Sequence, residues 1–274
     1  MSAHNNIFEK VKLDLAAKHI DVSKPGFYDD PNFIENEKVD SKFLENYAKF
    51  VQYKEYKDEY KNHAQKVLSF VVELLYEELK TDGRQNACVD MAVVLSRILE
   101  AEGVWNYIVL GGLTIDFPKN SGLSQLHYWP ISSDTRSDSV RKTASHAWCV
   151  VPPFGVVDLT IKQQGLSNKY KTFIPDYIIS NKAENYSAKI EDLVDDMVRI
   201  TNRGKPISYF ISGFQDFTKI FKPIIIKKEA TFKYIPTAIS APDMPLEKIK
   251  GLKLNGMYGK DLYEQKIKPV LQSI

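Results

Sequence analysis

Between residues 85 and 160 the hydrophobic pattern changes period, and that change restricts the fold more than any other feature of the chain. QNACVDMAVVLSRILEAEGV sets Met91, Leu95 and Ile98 on one helical stripe and stops at Gly103. WNYIVLGGLTI follows without helical spacing and reads as a largely buried strand, punctuated by Gly111 and Gly112. HAWCVV, the turn PPFG and VVDLT then read as a β-hairpin. The order is a helix beginning at a cysteine, a strand, and a hairpin that carries a histidine and an aspartate.

Each of those three residues stands where acyl-transfer chemistry needs it. Cys88 precedes Met91 by three residues and Leu95 by seven, so it opens the buried face of its helix. A free thiol is mostly protonated near neutral pH, and the positive end of a helix together with a nearby imidazolium favours the thiolate. His146 is the candidate general base that takes the thiol proton and later returns it to a leaving amine. Asp158 is the candidate that bonds the far imidazole nitrogen and so fixes tautomer and ring direction. Gln85 and Asn86 are candidate donors to a tetrahedral oxyanion, with the Cys88 N–H beside them, or alternatively caps of the helix. Trp148 is a candidate wall of the site.

The hairpin supplies a geometric condition. A three-residue loop, Pro152 to Phe154, sets Trp148 opposite Asp158 and puts His146 diagonal to Asp158 on the same face. A two-residue loop puts them on opposite faces and defeats the triad. Paired prolines are unsuited to the tightest turns, which prefer Gly and Asn, so the odd register is permitted.

Plainer readings apply to the neighbouring residues. Cys149 alternates to the face opposite His146 and is assigned to the core. His127, in HYW, imitates HAW, but no aspartate strand follows it, and it reads as a loop or rim residue. His4, His19 and His63 fall in the N-terminal third with no partner in the pattern. Trp105 reads as core, and Lys227-Lys228 as a solvated edge.

Outside this block, residues 1–57 are polar and tyrosine-rich and read as peripheral helices, broken at PGFYDDPNF. From about Tyr60, Val67, Phe70, Val71, Leu74 and Leu75 mark a strong helix that Gly83 stops. A polar stretch from about Lys119 to Thr143, interrupted by LHYWPI, reads as a long surface loop. IEDLVDDMVRITNRGKP reads as an amphipathic helix with Ile190, Leu193, Val194 and Met197 on its stripe. YFISGF and FKPIIIKKEATFKYI suggest strands, and the residues from about Ala241 an irregular tail ending in a short helix. The segments 1–57, 58–165 and 166–274 therefore read as an N-terminal extension, a core and a C-terminal extension of one unit.

The chain carries 37 basic and 35 acidic residues, well mixed, which gives no electrostatic reason to expect a nucleic-acid partner. Two cysteines exclude a disulfide scaffold, and there is no four-ligand zinc spacing. No apolar run has signal-peptide or membrane-spanning length, so the expectation is a cytoplasmic protein with no membrane partner. Acyl transfer through a thiol needs no metal or organic cofactor, and none is expected.

NACVDMAVVLSRILEAEGVWNYIVLGG and SHAWCVVPPFGVVDLT together resemble the transglutaminase-like superfamily of cysteine enzymes. In that family a cysteine opens a helix that ends in a small residue and Gly, a strand follows, and His-Ala-Trp and Asp-x-Thr strands come next. The resemblance covers roughly residues 85–160, under a third of the chain. It implies an α+β, papain-like fold in which the cysteine helix packs on an antiparallel sheet, with Cys88, His146 and Asp158 in the catalytic positions. It also implies acyl transfer at an amide bond of a peptide or protein through a cysteine thioester, by hydrolysis or transamidation. Two alternatives belong to the same fold. One is a peptide-binding module without catalysis. The other is an arylamine N-acetyltransferase-like acyltransferase, whose arginine-rich signature GRQNAC meets only at Arg84.

Overall fold

Helix α4 (Asp58–Asp82) and helix α5 (Cys88–Ala101) form where the apolar stripes predict them, and each is closed by glycine in the left-handed region, Gly83 at φ 76° and Gly103 at φ 73°. Their buried faces meet in one cluster, in which Val71, Leu75, Val94 and Ile98 are fully enclosed. The computed structural model describes residues 3–133, 140–142 and 146–273. Three further helices precede this pair, α1 (Ala3–Ala17), α2 (Pro31–Val39) and α3 (Leu44–Tyr53). They share a second cluster with the sheet, where Phe33, Tyr47 and Phe50 are buried alongside Trp148 and Tyr234.

The fold is α+β, built on an eight-stranded antiparallel sheet. Strands β1 (Tyr107–Asp116), β2 (Leu126–Tyr128), β3 (Ile131–Ser133), β4 (Val140–Lys142), β5 (His146–Val151) and β6 (Gly155–Asp158) follow α5 in the chain. Later come β7 (Ile178–Ser180), β8 (Glu184–Asn185), β9 (Ile224–Lys227) and β10 (Thr231–Ser240). The spatial order is β7-β6-β5-β1-β10-β9-β8, with β2 also on β1, while β3 and β4 pair apart from the sheet.

That order forces curvature. β7 and β8 lie at opposite ends of the path, yet only residues 181–183 join them. Seven flat strands would hold their outer members roughly 29 Å apart at the usual spacing, whereas such a short link spans at most about 14 Å. The sheet therefore curls until its ends approach. Tyr107, Val109, Trp148, Val156 and Tyr234 face the inside with the N-terminal helices, and Ile108, Ala147, Cys149 and Val157 face α4 and α5 outside. At the β1–β10 bulge between Leu110 and Gly111, a side chain at Gly111 would run into the Ile235 carbonyl and the Trp148 ring.

Three expected elements differ. The helix expected over 190–206 is instead a 3₁₀ turn at Ile190–Asp192, a bridge from Val194 to Ile131, and a short helix at Asp196–Thr201. Asp195 is extended, and its carboxylate accepts from the Val198 N–H at 2.8 Å, so it starts a new helix instead of continuing one. Met197, expected on the buried stripe, is exposed. YFISGF forms no strand: Ile207–Phe210 and Phe214–Ile220 are helical, with Phe210 and Phe214 buried four residues apart and Gly213 left-handed between them. The expected surface loop contains β2, β3 and β4, while its residues 134–139 and 143 lie outside the described residues. The FKPIIIKKEATFKYI stretch does form the antiparallel pair β9–β10. No helix among the described residues is long and apolar enough to cross a membrane.

Candidate active site

α5 starts at Cys88 without a side-chain cap. Asn86 is left-handed at φ 56° and sends its N–H to the Gln163 carbonyl at 2.9 Å, while Ala87 occupies the cap position. The alternative reading of Gln85 and Asn86 as helix caps is therefore excluded. Both are exposed, and their side chains lie together against Gly165. The first-turn N–H groups of α5, uncapped by any side chain, leave the positive helix end facing the half-buried Cys88 thiol.

The hairpin adopts the three-residue loop. Cys149 pairs with Val157, Val150 with Val156 and Val151 with Gly155, so the same register sets Trp148 across from Asp158. His146 and Asp158 consequently share the inner face. His146 Nε2 lies 2.6 Å from Asp158 Oδ2, and both side chains are wholly buried. The other carboxylate oxygen accepts from the Thr160 N–H at 2.9 Å and from Thr160 Oγ1 at 3.2 Å. Tyr234 donates its hydroxyl to Oδ2 at 2.9 Å from β10. Four donors thus hold one buried carboxylate, which satisfies it as an anion.

With Nε2 committed to Asp158, Nδ1 is the imidazole nitrogen left for the thiol. It is buried and makes no well-formed hydrogen bond among the described residues. It is still close enough to Cys88 for each group to alter the other's proton affinity. Burial pushes the Cys88 thiol up, but the neighbouring His146 imidazole and the Ala147 N–H outweigh it, and the net shift is downward. Burial pulls His146 down, and the Asp158 carboxylate beside it overrides this and raises it to about 10. Burial raises Asp158, while the His146 charge and the Thr160 and Tyr234 donors bring it below the usual carboxylate range. All three directions favour a thiolate, an imidazolium and a carboxylate in a row.

Trp148 walls the imidazole, its ring 6.1 Å from His146 and 5.0 Å from Tyr234. Tyr128 approaches from β2, with its ring 6.0 Å from His146. The void that touches Cys88, Ala147, Asp158 and Thr160 holds only about 10 Å³. Sequence reasoning missed Tyr234, Tyr128 and the Ala147 N–H. It met Thr160 only as part of the Asp-x-Thr pattern, without its role.

The competing residues stand apart. Cys149 is fully buried on the outer face, its Sγ donating to the Ala92 carbonyl at 3.4 Å, and burial raises its thiol far above the ordinary range. His127 sits on β2, not in a loop, with Nδ1 3.1 Å from Thr114 Oγ1 and its ring stacked on Trp129. Among the described residues no group of three or more His, Cys, Asp or Glu is placed to hold a metal ion. Comparison of the chain with protein-family models, with curated proteins and with solved structures found no match.

Proposed function

We propose that the chain is a thiol-dependent acyl-transfer enzyme acting at an amide bond, with Cys88 as nucleophile, His146 as acid and base, and Asp158 as the residue that orients His146. The observation that carries this reading is the buried bond from His146 Nε2 to Asp158, which leaves the opposite imidazole nitrogen for a thiol whose proton affinity is lowered. The succession of cysteine helix, central strand, histidine strand and aspartate strand supports a transglutaminase-like core, as the sequence resemblance implies.

In this reading the Cys88 thiolate attacks the carbonyl carbon and the C–O electron pair moves onto oxygen. The N–H groups at the start of α5 stabilise that oxyanion, with the exposed Gln85 and Asn86 amides beside the substrate path. His146 gives its Nδ1 proton to the leaving nitrogen as the C–N bond breaks, and a thioester remains on Cys88. Water, or a substrate amine, then attacks the thioester while His146 takes the proton, and the thiolate returns. Hydrolysis makes the protein a peptidase or amidase, and an amine acceptor makes it a transamidase. The test is a product profile from a peptide mixture, wild type against Cys88→Ala. New amide-cleavage or amide-exchange products should appear with the wild type alone, while both proteins show the same thermal unfolding. Equal profiles would remove the proposal.

A further inference from the structure

The curled sheet encloses a second space that acyl transfer does not use. A cavity of about 550 Å³ opens inside it, against the β7–β8 connection. That volume falls within the roughly 300–1,000 Å³ usual for small-molecule sites. Val109, Trp148, Val156 and Tyr234 form its wall, and Asn185, Lys219 and Lys222 stand at its rim. Trp148, only 2% exposed, separates it from His146, so the cavity does not reach Cys88.

Its polarity is one-sided. Of the three amides lining it, Asn181 and Asn185 are exposed, and the half-buried Gln52 has both ends occupied: Oε1 accepts from the Tyr107 hydroxyl at 2.6 Å, and Nε2 donates to the Ile220 carbonyl at 3.1 Å. A ligand carrying polar groups deep inside would desolvate them with little return. At the rim, Lys219 is paired with Asp216 at 2.7 Å, and the nearby Glu184 is paired with Lys227 at 2.7 Å. Those pairs cancel, and exposed Lys222 leaves the rim positive.

We propose that this cavity binds a medium-chain alkyl carboxylate, its chain packed on Trp148 and Tyr234 and its head group at Lys222. Because Trp148 stacks on His146 and Tyr234 holds Asp158, such a ligand sits one side chain away from the candidate active site.

Calorimetric titration of the full chain with decanoate, decanol and decylamine tests this, in the wild type and in Lys222→Glu and Ala183→Trp, each first shown folded by thermal unfolding. Ala183 is exposed where the β7–β8 connection lines the cavity, so its replacement by Trp narrows the entrance while leaving the lysines in place. Saturable decanoate binding is expected in the wild type. Lys222→Glu should weaken it by about three- to tenfold, as an exposed attraction becomes a repulsion, and should favour decylamine instead. Ala183→Trp should weaken all three ligands. Absence of saturable decanoate binding, or equal binding by all three proteins, overturns the proposal. Loss in Ala183→Trp without an effect of Lys222→Glu overturns the carboxylate assignment.

Discussion

Asp158→Asn should leave the fold standing and silence Cys88. In the wild type, Asp158 Oδ2 accepts from both His146 Nε2 and Tyr234. An amide NH₂ at that position can be accommodated, because the hydroxyl can turn to accept and the imidazole can move its proton from Nε2 to Nδ1. His146 is then held as the neutral tautomer with its proton on Nδ1 and Nε2 accepting from the amide, and it can no longer take the thiol proton. Without the carboxylate, burial is the largest remaining influence on both groups. It holds His146 neutral and raises the Cys88 thiol.

The size of the effect follows from ionisation. At pH 5.5 an ordinary thiol is about one part in a thousand thiolate. Full ionisation of Cys88 would raise that roughly a thousandfold. The lower basicity of such a thiolate cuts its intrinsic reactivity, leaving a ceiling of roughly 30- to 60-fold over an ordinary cysteine. Iodoacetamide modification at pH 5.5, followed by peptide mass spectrometry to separate Cys88 from buried Cys149, measures this. The wild type should exceed the ordinary rate, by no more than that ceiling, Asp158→Asn should fall below the ordinary rate, and the two should converge in strong alkali. A folded Asp158→Asn protein alkylated at pH 5.5 as fast as the wild type would refute the reasoning.

Three stability predictions use the same geometry. Tyr234→Phe removes one donor from a buried carboxylate, a loss of about 1.5–3 kcal/mol, or roughly 3–12 °C in thermal midpoint. Because the folded Asp158 titrates below its unfolded value, that deficit is full above the ordinary carboxylate pKa and disappears as pH falls through the lowered one. Glu100 runs the other way: burial raises it to about 7 despite the Arg97 charge, so the wild type loses stability as pH climbs from the unfolded carboxylate value to about 7. Glu100→Gln should therefore gain on the wild type between pH 5 and 8 in thermal unfolding, by up to roughly 3 kcal/mol, with Arg97 still held by Asp29. Gly111→Ala should cost at least about 3 kcal/mol, seen in urea unfolding, since its methyl meets the Ile235 carbonyl and the packed Trp148 ring.

What the sequence made legible was short in range. His146 and Asp158 are twelve residues apart on one hairpin, and the loop length alone decides whether they share a face. Tyr234 is 76 residues from Asp158 and reaches it only because β1 pairs with β5 on one side and β10 on the other. No local period announces which distant strand will be the neighbour. The misread elements failed for a different reason. Ile190, Leu193, Val194 and Met197 keep helical spacing, but the carboxylates of Asp192 and Asp195 bind backbone N–H groups and break the run. In YFISGF the helical spacing of Phe210 and Phe214 competed with an apparent alternation, and packing of both rings decided for helix.

The curled sheet also explains why only one of two cysteines meets the imidazole, although one opens α5 and the other packs beneath it. Cys88 and Cys149 belong to the outer cluster, whereas the His146 ring points to the inner face. A sheet separates such groups wherever its strands are paired on both sides. Cys149 sits in mid-strand, paired to Ile108 and Val157, so the full backbone layer stands between it and the inner carboxylate. His146 is the first residue of β5, and at that end Cys88 meets both the imidazole and the Ala147 N–H. Shifting the histidine two residues along the strand, to the position of Trp148, would keep its face and its distance from the Asp158 strand but place it behind the layer. Trp148→His in a His146→Ala background should therefore fail to restore low-pH alkylation of Cys88, and restoration would show that position along the strand is not what selects the thiol.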